Sequence, residues 1–250
     1  MKNISKDKET EKIKTSKNKE YINKYILDDY DHQIQINKYL KVSEEQLPRH
    51  LPKHLKFLGN KNILTKPIVG IVGSRKPTFY GRQEAYRFSK ELAQAGITVL
   101  SGGAIGIDTI ANATALEFGS SIAVLGSGLK ALYPQSNIGL FKRMAHSNQG
   151  LLLSQFNDFE MARKYHFPLR NQVIAMLCDF LMIIEAACTS GSLITANAAL
   201  EYGVDIGALP GPVDSPNSQG TNLLIKNGAF CIQSPKEIIE HLSYQSAIQK

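Results

Sequence analysis

The turn GSRKPT carries residue types that bind anions. Gly73 allows the backbone to approach a ligand closely, Ser74 offers a hydroxyl and an amide, and Arg75 and Lys76 add positive charge beside them. Backbone amides next to a guanidinium and an ammonium group suit the oxygens of a phosphate. The turn therefore predicts an anion site.

A second turn, SGGAIGID, begins at Ser101 and contains Gly102, Gly103 and Gly106. Glycines at this spacing allow successive backbone amides to point inward and cradle a phosphate. Tight turns between a strand and a helix also need glycine for steric reasons alone, so both interpretations stay open. Asp108 is interpreted as a helix N-cap rather than as a catalytic acid.

The segment RKYHFPLRNQ combines basic side chains with an aromatic ring. Lys164 and Arg170 can hold phosphate oxygens, Phe167 can stack on a base, and Asn171 can reach a base edge or a sugar. The alternative is the basic start of a helix with Phe167 in the core. We favour the binding interpretation because few other stretches of the chain are this basic.

Hydroxyl groups cluster in the stretch TSGSLIT. Ser190, Gly191 and Ser192, with Thr189 and Thr195 beside them, follow an apolar run and begin a predicted helix. The start of a helix offers free amides and a partial positive charge to an anion. Helix capping accounts for one of the four hydroxyls, and the others remain for a ligand.

Alternating elements must position these four groups. From Pro67 onward, short apolar runs such as PIVGIVG and ITVLS alternate with helical segments such as GRQEAYRFSKELAQAG. The alternation predicts an α/β fold: a doubly wound, mainly parallel sheet of extended Rossmann-like type, with about seven strands and helices on both faces. Ligands bind such a sheet at the carboxyl ends of its strands, where the turns above are expected to lie.

The chain divides into three predicted parts. Residues 1–20 form a lysine-rich tail with the composition of a disordered segment, residues 21–46 a short helical lead-in, and residues 47–242 one Rossmann-like domain. The first 25 residues carry eight lysines against four acids, so these residues account for +4 of the net charge of +7. The tail is either a solvated segment or an arm that contacts DNA.

Several compositional features bear on location and chemistry. The N-terminus has no apolar signal segment, and the longest apolar stretch is interrupted by Asp179 and Glu185, so we expect a cytoplasmic protein without a membrane partner. The three cysteines lack metal-site spacing. Since the P-loop lysine motif, GxSxG, HExxH and a strict GxGxxG are all absent, we expect no catalysis, no cofactor and no metal.

The turns, taken together and in order, resemble the DNA-processing protein A family (DprA, also called Smf). The matching blocks are VGSRKPTFYG, SGGAIGID, AVLGSGLKALYP, FPLRN, EAACTSGSLITA, ALPG and GTNLLIKNGA. Several spaced blocks that coincide are far more specific than any one of them. The resemblance extends over residues 47–232.

The resemblance implies a homodimeric protein of natural transformation that binds and protects single-stranded DNA. It also implies that such a protein helps load the RecA recombinase, with single-strand-binding protein as a further candidate partner. Carried over by position, Arg75 would hold a phosphate, Lys164 and Phe167 would flank the nucleotide, Asn171 would hydrogen-bond to it, and the glycine turns would supply amides.

The sequence departs from the family pattern at three positions. Ile105 replaces an arginine in the second glycine turn, Gln155 replaces a glutamate, and Gln172 replaces the arginine that usually follows FPLRN. Each departure removes a charge, and we expect changes in affinity and detailed geometry rather than in the binding mode. The C-terminal winged-helix domain that many members carry is expected to be absent.

Two other functions share this kind of cleft. One is an enzyme resembling nucleoside-monophosphate phosphoribohydrolases, whose PGGxGTxxE signature is replaced here by PGPVD and TSGSLITA. The other is a nucleotide-sensing module, which has little use for an extended basic strip. The apolar helix over residues 193–202 is either a dimer seam or packed on the sheet.

Overall fold

The computed structural model describes residues 33–40 and 52–248. The predicted tail and most of the predicted helical lead-in lie outside these residues. The described part of the lead-in differs from the prediction, because Gln33–Gln35 is a strand that pairs with His54–Gly59 and is followed by a short 3-10 helix. Pairing with a distant strand thus decides the structure of this segment.

One mixed sheet of nine strands organises the described residues, which confirms the predicted α/β class. Two of the strands, the first and second, were not predicted. They pair antiparallel with each other, and the second pairs antiparallel with the sixth, whereas all other neighbouring strands run parallel. The order across the sheet is β1-β2-β6-β5-β4-β3-β7-β8-β9. The bounds are β1 Gln33–Gln35, β2 His54–Gly59, β3 Ile68–Gly73, β4 Thr98–Ser101, β5 Ser121–Val124, β6 Gly150–Ser154, β7 Phe180–Ile184, β8 Asp205–Ala208 and β9 Phe230–Cys231.

Seven α-helices lie among the described residues, on both faces of the sheet. None of them has the length and apolar character that a membrane span requires. Their bounds are α1 Phe79–Gln94, α2 Ile107–Phe118, α3 Ile138–His146, α4 His166–Leu177, α5 Gly191–Glu201, α6 Gln219–Lys226 and α7 Pro235–Ile248.

Alternation along the central strand β3 divides the core into two layers. Ile68 and Val72 belong to an apolar cluster that includes α4 and α5. Val69 and Ile71 point to the opposite face and join a cluster that includes α1, α2 and α7. Because both faces are covered, β3 reads as a continuous apolar run, as buried parallel strands do.

Helix α1 shows how local signals place the turn before it. Thr78 is its N-cap, since the Thr78 hydroxyl accepts a hydrogen bond from the Gly81 amide at 3.2 Å. The apolar stripe predicted for this helix is buried, including Phe88 and Leu92. The cap fixes where the helix begins and therefore where the GSRKPT turn ends.

The strand order reverses between β3 and β7. Strands β3, β4, β5 and β6 lie in succession on one side, and β7, β8 and β9 continue on the other side of β3. At such a switch point the loops after the two central strands diverge and leave a crevice at their carboxyl ends. The fold therefore places the turn after β3 opposite the loop between β7 and α5.

Candidate functional site

A cleft of about 520 Å³ opens at this switch point. Its walls come from the turn after β3, the first turns of α4 and the start of α5. Ten of the predicted site residues line it: Gly73, Ser74, Arg75, Lys76, Phe167, Arg170, Asn171, Ser190, Gly191 and Ser192. The fold thus brings together residues that are more than 100 positions apart in the chain.

Two exposed cations stand on one wall of the cleft. Arg75 and Lys76 are both exposed, and neither has an ion-pair partner among the described residues. The guanidinium carbon of Arg75 lies 5.2 Å from the centre of the Phe167 ring. The Ser74 hydroxyl accepts a hydrogen bond from the Lys76 amide at 3.1 Å, which fixes the turn that carries both cations.

Arg170 lines the same cleft but is buried. Its Nη1 donates to the Gly102 carbonyl and, at 2.8 Å, to the Val124 carbonyl, while its Nε donates to Asn171 Oδ1 at 3.0 Å. Burial lowers the pKa of Arg170 to about 10, with Asp108 acting in the opposite direction. This guanidinium connects the ends of β4 and β5 to helix α4.

Asp108 is the buried acid of the cleft, and its interpretation as an N-cap was wrong. The N-cap of α2 is Gly106, and Asp108 lies in the first helical turn, where its Oδ2 accepts from the Ala104 amide at 3.3 Å. Burial raises the pKa of Asp108, and the nearby Arg170 lowers it by a smaller amount. The carboxyl therefore belongs to the buried support of the cleft.

The second glycine turn packs tightly against these groups. A Cβ at Gly102 would collide with the Arg170 guanidinium, and one at Gly106, which has φ +87°, would collide with the Ser74 carbonyl. Ser101 is buried, and its hydroxyl donates to the Ile71 carbonyl at 2.6 Å. Glycine is therefore required on steric grounds at Gly102 and Gly106, and the binding of an anion by this turn stays a prediction.

A second, smaller cleft of about 60 Å³ adjoins the first. Gly102 and Gly103 line it, with Tyr133 on its outer side, whereas Ser101 and Gly106 line neither cleft. The rings of Tyr133 and Phe167 are 6.1 Å apart, centre to centre, and are tilted by 50°. Phe167 lines both clefts, as Arg75 and Arg170 do.

The start of α5 forms the wall opposite Arg75. The Ser190 hydroxyl is the N-cap and accepts from the Ser192 amide at 3.3 Å, and the two hydroxyls are 2.6 Å apart. Thr195 is buried and lines the cleft, and its hydroxyl has no hydrogen-bond partner among the described residues. A helix start with a spare hydroxyl is suited to an anion.

The comparisons with known proteins agree on one family. The chain matches the family model for DNA recombination-mediator protein A over residues 33–243. It is 41% identical to the Smf protein of Escherichia coli over 70% of this chain and 47% of that protein. It is 36% identical to DprA of Bacillus subtilis over 81% of this chain and 70% of that protein.

The chain belongs to the DprA/Smf family. The fold agrees, because the structure of Helicobacter pylori DNA processing protein A, described for its single-stranded DNA binding mode, superposes with a TM-score of 0.74 at 30% identity. That match covers 88% of this chain and 95% of the H. pylori chain. The chain spans about half the length of the E. coli relative.

Two predicted residues of this DprA/Smf family member, Lys164 and Asn171, differ in exposure. Lys164 is exposed and lines neither cleft, and it stands three residues before Phe167 at the start of α4. Asn171 is buried, and its Nδ2 donates to the Gly191 carbonyl at 3.3 Å. Asn171 therefore ties α4 to the start of α5 as well as lining the cleft.

Sequence reasoning missed Glu185, which follows β7. Glu185 is buried at a φ of +56°, which is uncommon for a residue with a side chain. Its carboxylate accepts hydrogen bonds from the Thr78 amide at 2.8 Å, from the Thr78 hydroxyl and from Asn217 Nδ2 at 3.4 Å. The same Asn217 group donates to the Lys76 carbonyl at 3.0 Å, so Glu185 and Asn217 together hold the turn that carries the cations.

The three departures from the DprA/Smf pattern lie in different surroundings. Ile105 is 44% exposed and lines the smaller cleft. Gln155 follows β6, and its Nε2 is buried without a hydrogen-bond partner among the described residues. Gln172 is half-buried on α4 and lines neither cleft. Of the three, Ile105 is therefore the one that changes a cleft wall directly.

Metal binding has no apparent site in the described ranges. No group of three or more His, Cys, Asp or Glu side chains there lies close enough to hold a metal ion. What the clefts offer instead are exposed cations, amides at the start of a helix and an aromatic ring, the groups that bind the backbone and bases of single-stranded nucleic acid.

Proposed function

We propose that the chain binds single-stranded DNA in the two adjoining clefts. The observation that carries the proposal is Arg75, which is exposed, has no ion-pair partner among the described residues and lies 5.2 Å above the Phe167 ring. A cation that holds a phosphate next to a ring that stacks on a base is the basic unit of single-strand binding. The H. pylori relative, described for binding single-stranded DNA, supports the same assignment.

The binding residues fall into two groups. Arg75 and Lys76 supply charge in the main cleft, Lys164 supplies charge at the start of α4, three residues before Phe167, and the Gly191 amide supplies a hydrogen-bond donor at the positive end of α5. Since these groups favour the sugar-phosphate backbone, we expect weak preference among base sequences and a steep loss of affinity with added salt.

The wider role that we propose follows from the family. Its description as a recombination mediator supports protection of single-stranded DNA and help in loading a RecA-type recombinase, with single-strand-binding protein as a further partner. We propose that the protein acts as a cytoplasmic homodimer and catalyses no reaction.

Fluorescence anisotropy with labelled oligo-dT tests the binding. We expect affinity to rise with length, to exceed that for a matched duplex, and to fall at higher salt. Arg75→Ala should weaken binding about tenfold for every sequence and should reduce the slope of log K against log salt by about 0.7. Lys164→Ala should have a similar, sequence-independent effect.

A different pattern would overturn the proposal. If single and double strands bound equally and a nucleoside monophosphate competed fully, a nucleotide hydrolase or sensor would fit better. If both variants bound DNA like the parent, the site would be wrong even though the family is shown. Lys226→Ala is a matched control, since Lys226 is an exposed lysine on α6 that lines neither cleft and, unlike Lys164, is remote in the chain from Phe167.

A further inference from the structure

A surface beside the smaller cleft combines exposed aromatic rings with cations. Tyr133, Phe159 and Tyr165 are 47%, 56% and 55% exposed. Lys130 Nζ lies 5.5 Å from the centre of the Phe159 ring, and Arg163 Nη1 donates to the Tyr165 hydroxyl at 3.1 Å. We call these five residues the aromatic-basic patch. The Rossmann-like core does not require them to be exposed, and their hydration has a cost that a ligand could relieve.

The patch is held in place by its backbone. The loop after β6 pairs with the turn after β5, because the Gly128 amide donates to the Glu160 carbonyl and the Lys130 amide to the Asp158 carbonyl, both at 2.8 Å. A Cβ at Gly128 would collide with the carbonyls of Asn157 and Asp158, so glycine permits this close approach. Phe159 is therefore presented from an anchored loop.

The acids of this loop are turned toward the protein. Asp158 Oδ1 forms an ion pair with Lys56 Nζ at 2.8 Å. Glu160 Oε1 lies 3.2 Å from Nε2 of the buried His166, and Glu160 Oε2 accepts from the Asn157 amide at 3.2 Å. Both carboxylates are therefore in contact with groups outside the patch. A surface of this kind complements a polyanion that carries flat, stackable groups.

The patch is continuous with the proposed DNA site. Tyr133 lines the smaller cleft and contacts Phe167, which also faces the main cleft. Lys130 is on the same turn as Tyr133, three residues earlier, and contacts Phe159. A strand that leaves the clefts past Phe167 therefore meets Tyr133 first and Phe159 next.

We propose that the aromatic-basic patch is a second base-stacking platform, along which single-stranded DNA continues after it leaves the clefts. This inference rests on the proposed function. Tyr133 and Phe159 stack on bases there, and Lys130 and Arg163 neutralise the adjoining phosphates. The platform enlarges the number of nucleotides that one chain covers without adding sequence preference.

The experiment compares a short and a long oligo-dT, of about 5 and about 20 nucleotides, the range over which single-strand sites extend. Phe159→Ala should weaken binding of the long strand about fivefold or more and leave the short strand unchanged, because the short strand is held by the clefts. Phe159→Tyr should restore the long-strand affinity. With 2-aminopurine placed along the long strand, the variant should lose quenching at positions outside the clefts.

Tyr86→Ala is the matched control. Tyr86 is also an exposed ring beneath a lysine, with Lys90 Nζ 5.8 Å from its centre, but it lies on α1 and lines neither cleft. Unchanged long-strand affinity and unchanged quenching in Phe159→Ala, combined with weak binding by Arg75→Ala at both lengths, would overturn the platform and leave the proposed function standing. If the parent bound neither strand, both proposals would fail.

Discussion

Two arginines approach the same aromatic ring from different environments. The guanidinium carbons of Arg75 and Arg170 lie 5.2 Å and 5.9 Å from the centre of Phe167. Arg75 is exposed without an ion-pair partner among the described residues, whereas Arg170 is buried and donates to two backbone carbonyls and to Asn171. One side chain is thus available to a ligand, and the other shapes the wall that the ligand meets.

The largest expected effect is a difference in protein stability between variants of the two arginines. Arg170→Met would leave the carbonyls of Gly102 and Val124 without their donor and Asp108 without its neighbouring cation. Removing one partner from such a buried arrangement costs about 3 kcal/mol of the free energy of unfolding. Arg75→Met should change stability by less than about 0.5 kcal/mol, as exposed substitutions usually do.

Urea denaturation of the two methionine variants and the parent measures this difference in stability. Titration of the same proteins with DNA measures their affinities. Arg75→Met should lose DNA affinity while its midpoint in urea stays that of the parent. If Arg170→Met unfolded like the parent, or if Arg75→Met were the less stable variant, it would be wrong to assign Arg170 a structural role and Arg75 a DNA-binding role.

The sequence predicts both arginines as DNA contacts because it records type and spacing, not burial. Lys164 and Arg170 belong to one basic decapeptide, yet the first is exposed and the second is covered. Arg170 is buried because helix α4 directs it toward Gly102, which is 68 positions earlier in the chain. No local pattern in the sequence contains that contact.

The fold was predicted more completely than the site for a related reason. Parallel strands such as β3 and helices such as α1 have strong local patterns of apolar residues. Glycines in the sequence mark the turns between them. The strand β2 was not recognised, because HLKFLG follows two prolines and lacks a helical partner, and it forms by antiparallel pairing with β6. Glu185 was missed because its backbone conformation and its contact with Thr78 exist only in the assembled switch point.

A smaller effect is expected from Asp108, the acidic neighbour of Arg170, through the pH dependence of stability. Burial raises the pKa of this carboxyl in the folded protein, so the folded state binds more protons than the unfolded state between the ordinary and the raised pKa. The contribution of Asp108 to the free energy of unfolding is therefore greatest at low pH. It is lost as pH rises through that window, with a slope of at most about 1.4 kcal/mol per pH unit.

Asp108→Asn removes this titration while keeping the shape of the side chain. The free energies of unfolding of parent and variant are measured against pH through the acid range. The value of the parent relative to that of the variant should fall as pH rises and then become constant. A difference that is independent of pH would mean that Asp108 ionises in the folded protein as it does in the unfolded chain.

The smallest expected effect is that of a new exposed arginine in the smaller cleft, introduced at Ile105. Ile105 is 44% exposed in the smaller cleft, and the family pattern often has arginine at this position. Ile105→Arg should raise affinity for oligo-dT a few-fold and increase the magnitude of the slope of log K against log salt by about 0.7, as one additional phosphate contact does on a single strand. Ile105→Met, which adds no charge, is the matched control and should bind like the parent.

The salt slope distinguishes two ways in which the new arginine could act. A side chain that remains exposed, as Arg75 does, increases the slope and leaves the free energy of unfolding unchanged. A side chain that folds inward and donates to carbonyls, as Arg170 does, changes stability and leaves the slope unchanged. Since Ile105 is 44% exposed, the first outcome is expected. The second outcome would mean that the cleft wall decides whether an arginine at this position contacts DNA or the protein.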